Sequence, residues 1–196
     1  MSLAFKNKKK HFQGTLVQEG VLFEYDLYLG PFHKGSSKYK YIVEHISKRT
    51  RAGLPCLGIT EDVIKESLRK RESSVYGFVR VVGTGDAASG ALQAFNWCTS
   101  TQPSTWRNSQ VWIGDLCRTV PGVKSPVSPT KVLLFLFEQL CPLNKISLSI
   151  ETGERGNLEG LYRAYGFRPM ARCPSPGYLN MVKPVHRDPG FQHLRV

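Results

Sequence analysis

The sequence predicts an α/β (α+β) fold, in which helices flank a mixed central sheet. Strands and helices alternate in its second half, a β-hairpin pattern precedes them, and the length suits one core. With 196 residues and 41% apolar content, the chain can bury one sizeable core but is too short for two comfortable domains. We therefore expect one domain over residues 15–196, preceded by a basic, flexible arm over residues 1–14.

The first half of the sequence predicts a strand, two helices and a hairpin. Leu22 to Leu29 alternates apolar and charged residues with the period of a half-buried strand. Apolar residues at helical spacing and charges that match the helix dipole predict helices over Tyr39 to Arg49 and Thr60 to Arg71. The hairpin strands are expected over Val75 to Val82 and Ala91 to Cys98, with a plain glycine-rich turn between them.

The second half of the sequence alternates strands with helices. Such alternation implies right-handed crossovers and some parallel pairing within the sheet. The predicted elements are the strand Val111 to Thr119, the helix Pro129 to Leu140, the strand Ile146 to Ile150, the helix Asn157 to Tyr165 ended by Gly166, and the strand Tyr178 to Lys183.

Charge and cysteine content narrow the classes of function. The formal net charge of +12 indicates either a solvated, charged surface or an anionic partner, such as a phosphorylated cofactor, a nucleic acid or an acidic protein. The five cysteines are odd in number and form no C-x-x-C pair, so we expect reduced thiols. The histidines lack metal-ligand spacing, so no metal is expected. The longest apolar run has six residues, which predicts a soluble, cytoplasmic protein without a membrane segment.

The start of the helix at Pro129 is a candidate anion site. Ser128 is a good N-cap residue and Pro129 a good first helical residue. The unpaired N–H groups of a first helical turn, together with the helix dipole, favour a bound anion. Lys124 and Lys131 add positive charge to this region. An ordinary capped helix is the alternative interpretation of the same residues.

The segment Gly160 to Phe167 carries the most specific motif. It contains Leu161, Tyr162, Gly166 and Phe167 at a spacing that resembles the L-Y-x-x-x-G-F signature of the GNAT acyltransferases. The predicted order of elements is also similar to the GNAT fold from about Thr15 to Lys183. This resemblance implies transfer of an acyl group, most simply acetyl from acetyl-CoA, to an amine acceptor.

The resemblance also implies which residues hold the acyl-CoA. The family binds the cofactor diphosphate on a glycine-rich loop before this helix, but here only Gly122 is a glycine, and Pro126 and Pro129 bring no N–H donor. Either polar side chains replace the lost contacts, or the protein no longer binds the cofactor. The implied cofactor residues are Leu116, Cys117, Arg118, Gly122, Val123, Lys124, Ser125, Val127, Ser128, Thr130 and Lys131, with Arg155 or Asn157 near the pantetheine arm.

The implied chemistry needs an oxyanion donor, an acid and a base. The resemblance places a backbone N–H near Leu116 or Cys117 at the thioester carbonyl, and makes Tyr162 the acid that protonates the leaving thiolate. Asp115, on the face where Ile113 and Cys117 point if the strand alternates regularly, or an ordered water is the candidate base. Tyr162 as a packed helix tyrosine and Asp115 as a solvated aspartate remain open, and Cys117 is interpreted as a core cysteine.

Two other functions remain open. The positive charge and the basic arm suit a protein of the same fold that modifies or binds nucleic acid. The proline-bearing loop instead suits a non-catalytic GNAT-like scaffold. If the chain is an acetyltransferase, its basic predicted helices favour an acidic or nucleic-acid-linked acceptor over a polyamine.

Overall fold

A computed structural model gives the architecture of the chain. It describes residues 11–29, 35–37, 39–41, 43–44, 74–94, 111–119, 124–141, 144–151, 155–170 and 176–191. Within these residues, one mixed sheet of eight strands has the order β1-β2-β3-β4-β5-β6-β8-β7. Its strands are β1 His11–Gln18, β2 Val21–Leu29, β3 Ser74–Val81, β4 Ala87–Ala94, β5 Val111–Thr119, β6 Lys145–Glu151, β7 Arg168–Pro169 and β8 Tyr178–Pro184. Two helices are described from end to end and connect strands of this sheet: α1 Pro129–Leu140 and α2 Arg155–Ala164.

The N-terminal part of the sheet begins earlier than predicted. His11–Gln18 forms a strand that pairs antiparallel with β2, so the arm prediction is wrong for residues 11–14, and the predicted first strand is the second. Phe12 is buried in the core, whereas Val17 remains exposed. An edge strand needs few apolar residues because only one of its faces is covered, which explains why its polar sequence resembles an arm.

The predicted hairpin is confirmed, with a shifted second strand. β3 pairs antiparallel with β4, and the turn between them is shorter than expected. Gly83 and Gly85 have φ angles of 86° and 75°, a conformation that suits glycine. β4 begins at Ala87, and its small residues Ala88, Ser89 and Ala91 are buried on both faces of a central strand, so they show no apolar–polar alternation.

The second half follows the predicted alternation closely. β5, α1 and β6 form the expected crossover, and β5 and β6 pair in parallel. β6 then pairs antiparallel with β8, and the short β7, which the sequence did not predict, pairs with the outer edge of β8. The sheet is therefore mixed, as expected.

The main core lies between α1 and one face of the sheet. Gly77 of β3 allows close approach, because a Cβ at this position would lie 2.8 Å from Phe137 Cε1 and 2.9 Å from Leu133 Cδ1. Val132, Leu133, Leu134, Leu136 and Phe137 of α1 are all buried. Since α1 is held against β3, β4 and β5, the sheet fixes where its N-terminus lies.

A second, aromatic cluster lies elsewhere in the sheet. Tyr28, Tyr39, Tyr76 and Ala91 are buried together there. The described residues between 37 and 44 are helical and supply Tyr39, in agreement with a helix in this region. The remainder of that predicted helix and the whole of Thr60 to Arg71 lie outside the described residues. No helix in the described part of the chain has the length and hydropathy needed to cross a membrane.

Candidate active site

A cleft opens in the sheet where β5 separates from β6. The two parallel strands pair only through Val111 with Ile146 and Trp112 with Ser147. Beyond Trp112, β5 continues for seven residues to Thr119 beside β4, while β6 continues beside β8. No other described strand pairs with this free edge of β5. Within the described residues, the sheet is therefore open along this edge of β5.

A β-bulge accompanies the separation of the two strands. Ile113 pairs with Leu92 and Asp115 pairs with Ala91, so Gly114 is an extra residue in β5. A bulge bends its strand and increases the local twist, which suits a strand that leaves its neighbour at this point. The regular backbone alternation on which the Asp115 prediction depends is interrupted here, and the role of Asp115 stays a prediction. Asp115 is opposite Ala91 in the register, at the start of the free edge.

The N-terminus of α1 lies at the open end of this cleft. α1 follows β5 through the connecting loop, and ligands of α/β sheets bind beyond the carboxyl ends of separating parallel strands. Pro129 has no N–H, so the first turn offers the N–H groups of Thr130 and Lys131. Neither group donates a hydrogen bond to another described residue. This helix end can therefore accept an anion.

Ser128 occupies the N-cap position but does not cap the helix with its side chain. Its backbone is extended, with φ −68° and ψ 120°, and its hydroxyl makes no capping hydrogen bond. Tyr165 Oη instead donates to Ser128 Oγ at 3.1 Å, joining the end of α2 to the start of α1. The capping prediction is thus wrong for the side chain, because a competing partner occupies the hydroxyl.

The lysines near this helix end differ in their surroundings. Lys131 is exposed and forms an ion pair with Glu19, with 3.0 Å between Nζ and Oε1. Lys124 is also exposed. Exposed ion pairs contribute little stability, so Glu19 leaves Lys131 free to exchange partners with a phosphate.

The loop before α1 is held by a buried carboxylate. Asp86 is fully buried, and Arg118 of β5 donates to both of its oxygens, from Nε at 3.2 Å and from Nη2 at 2.7 Å. The backbone N–H of Ser125 donates to Asp86 Oδ2 at 3.0 Å. The hydrogen bond with Asp86 raises the pKa of the Arg118 guanidinium above its ordinary value, so this side chain stays charged.

Local packing completes the conformation of the loop. Val127 donates its N–H to Ser125 Oγ at 3.3 Å, and both residues are buried. Thr130 is buried at the first turn of α1. These side-chain contacts hold the described part of the loop in its conformation. Gly122 and Val123 lie outside the described residues.

The prediction of reduced thiols is wrong for Cys117. It is buried in β5 and is disulfide-bonded to a cysteine outside the described residues. Its predicted placement in the core is confirmed, and its sulfur is not a free nucleophile. Cys141 at the end of α1 is a free thiol, and burial raises its pKa to about 12. The sequence could not reveal this bond because no close cysteine pair marks it.

The L-Y-x-x-x-G-F segment forms a helix C-cap at the end of α2. Phe167 N–H donates to Tyr162 O at 3.0 Å and Gly166 N–H donates to Arg163 O at 2.9 Å, with Gly166 at φ 89°. These two hydrogen bonds form a Schellman motif. The ring centroids of Tyr162 and Phe167 lie 5.7 Å apart, which is the hydrophobic contact that usually accompanies this motif. Tyr162 is half-buried against the main core. The motif therefore has a structural cause, whatever its chemical role.

Residues at the start of α2 give little support to a pantetheine contact. Asn157 is exposed on the helix, and the side chain of Arg155 is not among those described. Among the described residues, no cluster of three or more His, Cys, Asp or Glu side chains can hold a metal ion.

A small pocket adjoins the N-terminal half of α1. Its volume is about 160 Å³, and its lining includes Lys131, Phe135 and Tyr165. Glu138 and Lys183 form an ion pair in its wall, where Glu138 is 4% and Lys183 20% exposed. The aliphatic part of Lys183 packs beside Gly166, where a Cβ would lie 3.4 Å from Lys183 Cε. The pocket therefore joins α1, the α2 cap and β8.

The strand order and the separation of β5 from β6 agree with the mixed, helix-flanked sheet that the resemblance implied. No protein-family model and no curated protein matches the sequence. Solved structures with similar backbones include N-acetyltransferases at low identity.

Three of these solved structures illustrate the similarity. An uncharacterized protein from Bacillus halodurans is 12% identical, with a TM-score of 0.49, over 88% of this chain and 90% of that chain. A chimera of the spermidine N-acetyltransferase SpeG from Vibrio cholerae and hSSAT is 13% identical, with a TM-score of 0.44, over 81% and 95%. The Campylobacter jejuni N-acetyltransferase PseH is 11% identical, with a TM-score of 0.41, over 82% and 97%.

Sequence reasoning missed one residue of this candidate site. Asp86 ends a glycine-rich turn that the sequence identifies only as a hairpin connection. An aspartate after Gly83-Thr84-Gly85 and directly before a strand of small residues is a weak signal. Its importance depends on Arg118, 32 residues later, which only the folded sheet brings close.

Proposed function

We propose that this chain is a GNAT-type acyltransferase that moves an acetyl group from acetyl-CoA to a primary amine. The observation that carries the proposal is the cleft beyond Trp112, with the donor end of α1 at its mouth. An extended pantetheine arm fits between the separating strands because no described strand pairs with this edge of β5, along which the arm can run parallel to the backbone. A diphosphate fits the helix end because that end supplies N–H donors and a favourable dipole.

In this proposal, polar side chains replace the glycine loop. Thr130 and Lys131 donate backbone N–H groups to the diphosphate, and Arg118 supplies a charged guanidinium at the same end of the cleft. Asp86 uses Nε and one Nη2 donor of Arg118, and the Nη1 donors have no partner among the described residues. Arginine suits phosphate because its planar fork donates two parallel hydrogen bonds. The other residues of the proposed cofactor loop are Gly122, Val123, Lys124, Ser125, Val127 and Ser128. Arg155 or Asn157 is proposed to lie beside the pantetheine arm.

The chemistry is a direct transfer without a covalent enzyme intermediate. The amine nitrogen attacks the thioester carbonyl, whose oxygen accepts an N–H from the free edge of β5 near Leu116 or Cys117. The C–S bond then breaks, and Tyr162 gives its phenolic proton to the leaving thiolate. Asp115 or a water takes the proton that the amine loses. The Cys117 disulfide is consistent with this path, since no step needs a free thiol.

The acceptor proposed is an amine on an acidic or nucleic-acid-linked molecule. The net charge of +12 would repel a polyamine and attract a polyanion. Such attraction accelerates encounter and weakens as salt rises. A panel of primary amines with neutral, cationic and anionic carriers, assayed at two salt concentrations, identifies the class. A preference for the cationic carriers would contradict this part of the proposal.

Ligand binding gives the first test. A ligand present at 100 times its Kd adds about 2.7 kcal/mol to stability, which a thermal-unfolding assay detects easily. We expect acetyl-CoA and coenzyme A to raise the Tm, and adenosine alone to raise it much less. No change in Tm at millimolar acetyl-CoA would leave a GNAT-like scaffold without cofactor as the better description.

Turnover of a Tyr162 variant gives the second test. Tyr162→Phe keeps the ring that packs on Phe167 but removes the proton donor, so we expect the rate to fall by about 10²–10⁴-fold with coenzyme A affinity unchanged. Tyr178→Phe is the matched control because Tyr178 is an exposed tyrosine on β8. Full activity of Tyr162→Phe would remove Tyr162 from the mechanism.

A further inference from the structure

Asp86 is a buried carboxylate that joins three parts of the chain. It ends the turn between β3 and β4, is fully buried, and accepts hydrogen bonds from Arg118 of β5 and from the loop residue Ser125. Burying a carboxylate is costly unless it is paired and hydrogen-bonded, and here both oxygens have partners. A site of this kind is stable only when all three parts hold their positions.

The turn itself is built to present Asp86. Val81 N–H donates to Asp86 O at 2.7 Å, and Asp86 N–H donates to Thr84 Oγ1 at 3.2 Å. Gly83 and Gly85, both at positive φ, allow the backbone to make this turn. The backbone of Asp86 is therefore fixed before its side chain meets Arg118.

Both partners of Asp86 belong to the end of the cleft where α1 begins. Arg118 is the penultimate residue of β5, and Ser125 lies three residues before the N-cap position of α1. The Arg118 side chain is 27% exposed, so part of its guanidinium reaches the surface. Tyr165, whose hydroxyl donates to Ser128, is close enough to raise the pKa of Arg118 further.

We propose that Asp86 is a positioning residue for the nucleotide half of coenzyme A, acting through Arg118 and Ser125. This inference rests on the proposed function. The loop has prolines where the family has glycines, so its backbone cannot supply a full set of N–H donors. Asp86 compensates by holding Ser125, which sets the path of the loop, and by holding the Arg118 fork in one orientation. The diphosphate then meets a prearranged set of donors.

A purely structural role predicts a different pattern of effects. If Asp86 only stabilises the sheet, its replacement lowers stability and weakens every ligand of the cleft alike. If it positions the loop and Arg118, the loss falls on ligands that carry the diphosphate. Pantetheine, which has neither diphosphate nor nucleotide, separates the two possibilities.

The test measures the Kd of coenzyme A and of pantetheine for wild type, Asp86→Asn and Arg118→Lys. Asparagine keeps the shape but loses the charge and one acceptor, and lysine keeps the charge but loses the fork. We expect each variant to weaken coenzyme A at least tenfold and to change pantetheine less than twofold. Glu24→Gln is the matched control, because it breaks an exposed arginine–carboxylate pair on β2 and β3 and is expected to change neither Kd.

The outcomes separate this inference from the proposed function. Equal losses for coenzyme A and pantetheine in folded variants, or no loss for either, would overturn the positioning role while leaving the acyltransferase proposal intact. Failure of wild type to bind coenzyme A would overturn both. If Asp86→Asn does not fold, Asp86→Glu carries the same comparison, because it keeps the charge and both acceptors but displaces them from Arg118 and Ser125 by one methylene.

Discussion

Replacing Gly77 with alanine tests whether α1 lies against the sheet as described. The new Cβ would be 2.8 Å from Phe137 Cε1 and 2.9 Å from Leu133 Cδ1. Carbon atoms normally pack at about 3.5–4.0 Å, so each contact is too short by about 0.6 Å or more. Phe137 and Leu133 are both fully buried and cannot swing into solvent. The helix or the two side chains must therefore shift.

The expected loss of stability follows from two opposing terms. Inserting a methyl group into a packed core costs about 1–3 kcal/mol. Replacing a strand glycine with alanine also stabilises the folded state by about 0.5–1 kcal/mol, because alanine lowers the conformational entropy of the unfolded chain. Because both contacts are shorter than 3.0 Å, the upper part of the packing cost, about 2–3 kcal/mol, applies. We therefore expect Gly77→Ala to lower the free energy of unfolding by about 1–2.5 kcal/mol, measured by urea denaturation followed by circular dichroism.

Two further variants make the result specific. Phe137→Leu removes the nearest ring atoms, so the double variant should lose at least about 0.5 kcal/mol less than the sum of the single losses. Gly160→Ala on α2, where no atom lies within 4 Å of the new Cβ, is the control and should be neutral or stabilised by up to about 1 kcal/mol. A Gly77→Ala protein as stable as wild type would refute the described position of α1.

Two other predictions concern side chains around α1. Burial raises the pKa of Cys141 from 9.0 to about 12, so in the folded protein at pH 8 its alkylation by iodoacetamide, followed by peptide mass spectrometry, should be about a thousandfold slower than in denaturant. Fast labelling of native Cys141 would contradict its burial. Because the folded-state pKa of Cys141 is raised, the stability that its neutral thiol contributes is present below pH 9 and is lost between about pH 9 and 12. Lys183→Met leaves the Glu138 carboxylate buried without its counterion and should cost about 3 kcal/mol, which Lys183→Met combined with Glu138→Leu should largely restore. Equal stabilities of the single and double variants would show that the ion pair does not act as described.

The sequence predicted best where local patterns and tertiary structure agree. β5 and α1 have the predicted bounds, and Gly166 ends α2 as expected, because each has a strong local signal. β1 was missed since an edge strand can be largely polar, and β4 was displaced because its small residues carry no alternation. Both errors arise because burial in a strand depends on the strands that pair with it, and the local sequence does not show that pairing.

The site was less accessible to sequence reasoning than the fold. The helix end at Thr130 could be foreseen from Ser128 and Pro129, but the hydrogen bond from Tyr165 to Ser128 could not. The irregular register at Gly114 could not be foreseen either, because nothing in the local sequence marks it. Asp86 depends on partners far away in sequence. A single sequence contains no signal for contacts of this kind.

Amide hydrogen exchange of β5 with and without coenzyme A tests the central claim most directly. Amides of residues 113–119 that are directed away from β4 have no neighbouring strand in the described fold, so they should exchange quickly in the free protein. Bound coenzyme A should slow their exchange, together with that of Thr130 and Lys131, while β2 amides remain unchanged. Unchanged exchange in β5 and α1 at saturating coenzyme A would contradict a cofactor site in this cleft.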